Sequence, residues 1–140
     1  MSETDIPESF RDLFARKSFG HLATVMPDGS PQVTPVWVDV DGPFLLVNTA
    51  VGRVKDVNMR RRPRVAIEIL DPENPMRYLS VRGVVAEVVE GEPAEAHIHK
   101  LAQRYMGRPY PDTARLQGEK RILFKIRPTH VHGWDPMAGR

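Results

Sequence analysis

The sequence predicts a mainly β fold, a closed or nearly closed antiparallel β-barrel with peripheral helices. Six or seven short runs rich in Val, Ile and Leu are separated by turns of Pro, Gly and Asp, the pattern of strands joined by hairpins. The βαβαβ rhythm of a parallel sheet is missing. No strand-like run is followed by G-x-G-x-x-G, and there is no Walker phosphate loop, so the usual nucleotide and dinucleotide folds are disfavoured.

Residues 6 to 17 carry Ile6, Phe10, Leu13 and Phe14 at helical spacing, with Pro7 acceptable in a first turn. Residues 19 to 26 read as a strand, Pro27-Asp28-Gly29 as a tight turn, and residues 31 to 39 as a second strand, making a hairpin. After the turn Asp41-Gly42, residues 43 to 49 form a third strand that runs into a basic helix. Residues 64 to 70 alternate Val65, Ile67 and Ile69 against Ala66 and Glu68, and Asp71-Pro72-Glu73-Asn74-Pro75 breaks that strand. A long β-rich run covers residues 76 to 89, with Gly83 marking a bulge or bend. Residues 93 to 106 place Ile98, Leu101, Ala102 and Tyr105 on one helix face, ended by Gly107. A polar loop through Gly118 leads to two final short strands, 121 to 126 and 129 to 134.

At 140 residues the chain is expected to be one domain, 1–140, able to bury a core without metals or disulfides. The absence of cysteine excludes a disulfide framework, a thiol nucleophile and an iron–sulfur cluster. The first 18 residues lack the apolar stretch of a signal peptide, and nothing approaches the roughly 18 consecutive apolar residues of a membrane span. A cytoplasmic protein without membrane contact is expected.

Charge is local rather than general. Residues 53 to 64 hold six Arg or Lys against one Asp, net +5, so the rest of this +2 chain sums to −3. Arg53 and Lys55 would diverge on a regular helix but converge if Arg53 precedes its first turn. Beside the Thr49 hydroxyl and free helix N–H groups, they form a candidate phosphate site. Arg60, Arg61 and Arg62 read as a solvated face. His97-x-His99 and His130-x-His132 invite a metal reading, but two-residue spacing diverges on a helix and no carboxylate or Cys cluster accompanies either pair, so no metal site is assigned. Neither a Ser-His-Asp arrangement nor a paired-carboxylate site is recognisable, and no catalytic side chain is assigned. Aromatic residues are too few for the stacking platforms of a nucleic-acid binder.

The ordered pieces GHLATVMPDGSPQVTPVWV, PFLLVNTAVGRVKDVNMRRRPRVAI, YLSVRGVVAEV and ILFKIRPTHVHGW resemble the pyridoxamine 5′-phosphate oxidase-like split barrels, the antiparallel Greek-key barrel of the FMN-binding-like fold. Within it they look most like the flavin or deazaflavin oxidoreductase branch. The resemblance implies a homodimer with two cofactor sites between subunits. It implies a cofactor ring along Gln32, Thr34, Pro35 and Val36, contacted mainly by backbone because alternate side chains point to opposite faces. The phosphate would fall near Thr49, Arg53, Lys55 and Asn58. Trp37 and Tyr78 would border the substrate cleft, with Trp37 equally suited to a dimer core. Loops 71–77 and 107–118 would touch substrate. The implied activity is hydride transfer from coenzyme F420 to an electron-poor small molecule. FMN with general flavin reductase chemistry is the nearest alternative, and a non-catalytic cofactor or haem carrier is the alternative of another class.

Overall fold

The computed structural model describes residues 4–111 and 117–137. A 3₁₀ segment, Glu8–Phe14, precedes β1 (Phe19–Val25), β2 (Pro31–Trp37), β3 (Asp39–Asp41), β4 (Phe44–Ala50), α1 (Val54–Arg61), β5 (Arg64–Leu70), β6 (Tyr78–Glu90), α2 (Glu92–Met106) and β7 (Arg121–Trp134). The strands form one antiparallel sheet in the order β2-β1-β5-β6-β7-β4-β3. Its two edge strands, β2 and β3, are chain neighbours joined through Val38 alone. The two edges of the sheet are therefore held together, and the sheet curls into the expected barrel. No helix among the described residues is long and apolar enough to cross a membrane.

Three expectations are corrected by packing. The strand expected over residues 31 to 39 breaks at Val38, whose N–H donates to Tyr105 Oη at 3.1 Å and whose carbonyl accepts from Arg104 Nη1 at 2.7 Å. Helix α2 thus takes over backbone groups that a continuous strand would have given to a ladder. The two strands expected after residue 120 are one, β7, because Pro128 sits at a bulge. Gly83 pairs with Pro128 and Arg82 with His130, leaving Thr129 as the extra residue, so a residue without an N–H is tolerated mid-strand. Gly83 also stands where a Cβ would lie 2.7 Å from the Arg127 carbonyl oxygen. Finally, the helix expected over residues 6 to 17 is a 3₁₀ segment, whose three-residue period aligns the buried Phe10 and Leu13. Phe10 packs onto Gly133, where any Cβ would lie 2.5 Å from its ring.

The barrel interior contains Leu22, Val36, Leu45, Val47, Ile67, Ile69, Leu79, Val81, Ile122, Phe124 and Ile126. Strand β4 is buried on both faces. Leu45 and Val47 join the interior, while Leu46 packs with Ala94 of α2 and Leu123 of β7 in a separate cluster. This sandwiching of β4 between core and helix forces any polar residue on it to find an internal partner.

Candidate functional site

The segment after β4 is built to present cations. Asp56, fully buried, accepts the Gly52 N–H at 2.8 Å and both Arg60 Nε and Nη2, at 2.7 and 2.6 Å. That carboxylate occupies the first turn of α1, where it also suits the helix dipole. Arg53 is consequently held as the extended residue before the helix, with φ −66° and ψ 157°, and Lys55 falls in the first turn. This is the arrangement in which the two side chains can converge.

They converge on a cavity of about 210 Å³. Its cationic lining is Arg53, Lys55 and Arg121, the first residue of β7, and its apolar and aromatic lining includes Phe19, Pro35, Val36 and Trp37. Trp37 is held by parallel stacking on Tyr105, with ring centroids 4.9 Å apart. Tyr110 covers Arg121, whose guanidinium lies 5.0 Å from the ring centroid. Thr49 lines the same cavity, and its Oγ1 is buried without a hydrogen-bond partner among the described residues.

Only one carboxylate balances these cations among the described residues. Glu119 bridges Arg53, at 3.2 Å, and Arg121, at 3.3 Å. Lys55 has no acidic partner among the described residues. Burial, then the neighbouring guanidinium groups of Arg53 and Arg121, push its ammonium below the usual lysine range. Burial likewise lowers Arg121, which is 5% exposed. Among the described residues, three cations stand against one acid around a small cavity, an excess of positive charge that an anionic phosphate group fits.

Six of the residues expected to form the site line this cavity: Pro35, Val36, Trp37, Thr49, Arg53 and Lys55. Four do not. Gln32 accepts a hydrogen bond from Thr24 Oγ1 at 3.0 Å, and Thr34 Oγ1 is buried without a partner among the described residues. Both alternate with the exposed Pro31, Val33 and Pro35, so their side chains point inward and at these two positions only the backbone of edge strand β2 is available for recognition. Asn58 is a clip between α1 and the first hairpin: its amide donates to Thr24 Oγ1 at 3.0 Å and accepts from Arg62 Nη2 at 3.0 Å. Tyr78 begins β6, paired with Trp134 and tilted against His132 at 6.3 Å. Of the expected substrate loop 107–118, residues 112–116 lie outside the described residues.

Sequence reasoning missed Arg121 and Phe19, whereas Tyr110 lies in the expected loop 107–118. Arg121 is 66 residues from Lys55 and reaches the site only because β7 pairs with β4, with Arg121 opposite Ala50. An arginine at the head of the apolar run Ile122-Leu123-Phe124 was the available signal. A second, larger groove of about 530 Å³ runs over β1, β5 and β6, lined by Ala23, Val25, Pro31, Val65, Ala66 and Val84 with few charged groups.

The sequence model of the pyridoxamine 5′-phosphate oxidase family matches residues 6–135. The chain belongs to that family. Among solved structures, this pyridoxamine 5′-phosphate oxidase family member is similar to an F420 reductase, with 39% identity over 91% of this chain and 98% of that one and a TM-score of 0.75. It is also similar to a conserved hypothetical protein from Mycobacterium tuberculosis, with 30% identity over 96% of this chain and 88% of that one and a TM-score of 0.70. General Stress Protein 26 from Bacillus anthracis shares the family fold at 20% identity, covering 92% of this chain and 93% of that one, with a TM-score of 0.67.

Proposed function

We propose that this protein is an oxidoreductase that binds coenzyme F420 by its phosphate in the Arg53, Lys55 and Arg121 cavity and serves hydride transfer to an electron-poor small molecule. The observation that carries the reading is Lys55, without an acidic partner among the described residues, beside two guanidinium groups that share one carboxylate. The 39% identity to an F420 reductase favours the deazaflavin over FMN, whose phosphate the same cations would also suit.

Arg53 and Arg121 supply planar donor forks for phosphate oxygens, and Lys55 supplies a point charge. The bound cofactor supplies the hydride chemistry. The chain's own part is to fix the phosphate end, to orient the rest through the backbone of β2 and the Trp37 wall, and to exclude water. At about 210 Å³ the cavity is smaller than the ~300–1,000 Å³ that encloses a whole drug-sized ligand. The ring therefore extends beyond it. A second copy of the chain, laid over the exposed β2 face where Val33 is 59% exposed and over the apolar groove beside it, would complete the enclosure. On this reading the cofactor sites lie between the subunits of a homodimer acting on small molecules in the cytoplasm, with the 140 residues as one domain.

Fluorescence titration of the apoprotein with coenzyme F420 and with FMN tests this reading, with Lys55→Ala in parallel. Tight F420 binding that is lost in the variant supports it. Preferential FMN binding moves the protein to flavin chemistry, and binding of neither ligand refutes the cofactor site.

A further inference from the structure

Asn48 and Arg121 lie on one face of the sheet as diagonal neighbours, because Arg121 pairs with Ala50 and Asn48 with Leu123. Asn48 Oδ1 accepts Arg121 Nε at 2.9 Å. Asn48 Nδ2 donates to the Ala94 carbonyl at 2.9 Å and to His97 Nδ1 at 3.1 Å. The amide has one allowed orientation, since Arg121 Nε can only donate and the Ala94 carbonyl can only accept. His97 must then carry its proton on Nε2, which donates to Asp39 Oδ2 at 3.0 Å. Asp39, 3% exposed, also receives Lys100 Nζ and Arg104 Nη2, each at 3.0 Å. The chain of bonds Asp39–His97–Asn48–Arg121 thus joins β3, α2, β4 and β7, and every proton in it has a determined place.

We propose that Asn48 is a positioning residue for phosphate binding, aiming the Arg121 guanidinium into the cavity through an amide whose orientation His97 and Asp39 lock. This inference rests on the phosphate reading of the cavity. Arg121 faces Arg53 and Lys55, both of which repel it, and Glu119 alone would draw it toward that carboxylate's own position. Asn48 fixes Nε, while Tyr110 Oη (3.3 Å) and Glu119 (3.3 Å) fix Nη1. Nη2 has no partner among the described residues, so one N–H edge of a rigid fork is left for a ligand. A neutral amide does this without cancelling the charge that an aspartate in its place would cancel. The sequence hides the device, because Asn48 reads only as a polar residue near the end of a strand.

The test is a set of binding titrations in matched pairs: coenzyme F420 against the same deazaflavin without its phosphate tail, and FMN against riboflavin. Wild type, Asn48→Leu, Arg121→Ala, the double variant and Lys55→Ala are compared. Asn48→Leu is expected to weaken the phosphorylated ligand about 10-fold, as for one lost positioned ionic hydrogen bond, and to leave the phosphate-free ligand unchanged. Adding Asn48→Leu to Arg121→Ala is expected to change nothing further. Equal weakening of both members of a pair, or independent effects of the two substitutions, would overturn the proposal. Loss of binding in Lys55→Ala with none in Asn48→Leu refutes the positioning role alone. Unchanged binding in Lys55→Ala, or no binding by wild type, refutes the phosphate cavity and this proposal together. Should Asn48→Leu fail to fold, His97 decides. His97→Gln, which keeps one acceptor and one donor, is expected to retain phosphate-dependent affinity, whereas His97→Leu is expected to lose it. Identical behaviour of those two variants overturns the proposal.

Discussion

Tyr105 closes the barrel from outside it: its hydroxyl oxygen accepts the Val38 N–H at 3.1 Å across 67 residues of chain and donates to the Ser18 carbonyl. The same ring stacks on Trp37, which lines the cationic cavity. One side chain of α2 therefore couples the corner between β2 and β3 to the wall of the candidate site.

Tyr105→Phe keeps the stacking surface and removes the hydroxyl. Val38 is 2% exposed, so its N–H is left without water as a substitute, at a cost of about 1–3 kcal/mol. Urea denaturation is expected to show that loss. The Val38 N–H would have to find another acceptor for stability to be unchanged.

Lys55→Ala is expected to separate stability from binding. Burial and two neighbouring cations lower the Lys55 ammonium in the folded chain, so the unfolded chain holds the proton more firmly and charged Lys55 opposes folding at neutral pH. Stability is regained only as pH rises toward the ordinary lysine range. The variant should therefore melt no lower than wild type at pH 7 while losing affinity for phosphorylated ligands, a pairing common at functional sites. A clear drop in melting temperature would contradict it.

Asp71 is expected to contribute to acid sensitivity beside Asp39, whose carboxyl is held well below the usual aspartate range, against burial, by hydrogen bonds from His97, the Val40 N–H, Arg104 and Lys100. The Glu73 N–H, then Arg77 and Arg16, outweigh the effect of burial and hold the Asp71 carboxyl down at about 2. A depressed folded value means that the stabilisation is present above the unfolded aspartate value of about 3.9 and is lost as pH falls from there through about 2. Denaturation midpoints measured from pH 5 down to pH 2 should fall, and Asp71→Asn should flatten that slope while lowering stability at pH 7. Arg77 also ties Asp12 and the Ser9 carbonyl, at 2.7 Å each, so the N-terminal 3₁₀ segment should loosen first in acid.

Gly83→Ala should cost about 1–3 kcal/mol, the range for overpacking. Its Cβ would meet the Arg127 carbonyl oxygen at 2.7 Å, a backbone atom that cannot swing aside. Gly133→Ala is expected to cost less, because the neighbour there is the Phe10 side chain. Chemical denaturation of the two variants compares these costs directly.

Alternation, turn residues and the basic run made the barrel, the bulge at Gly83 and the Arg53 and Lys55 pair readable from the order of residues. Those features are local: a strand's period, a glycine in a β-run, or the charge of twelve consecutive residues depends on near neighbours. Tertiary structure alone decided the break at Val38, the unity of β7, the inward direction of Gln32 and Thr34, the structural use of Asn58, and the arrival of Arg121. Each of these depends on what another element offers a backbone or side-chain group. Tyr105 and Arg104 draw Val38 out of its ladder, Gly83 makes room for Pro128, and the β4 to β7 register carries Arg121 to Lys55 across 66 residues. Such partners are set by the closing of the barrel, an energy shared over the whole sheet that no short window of sequence contains.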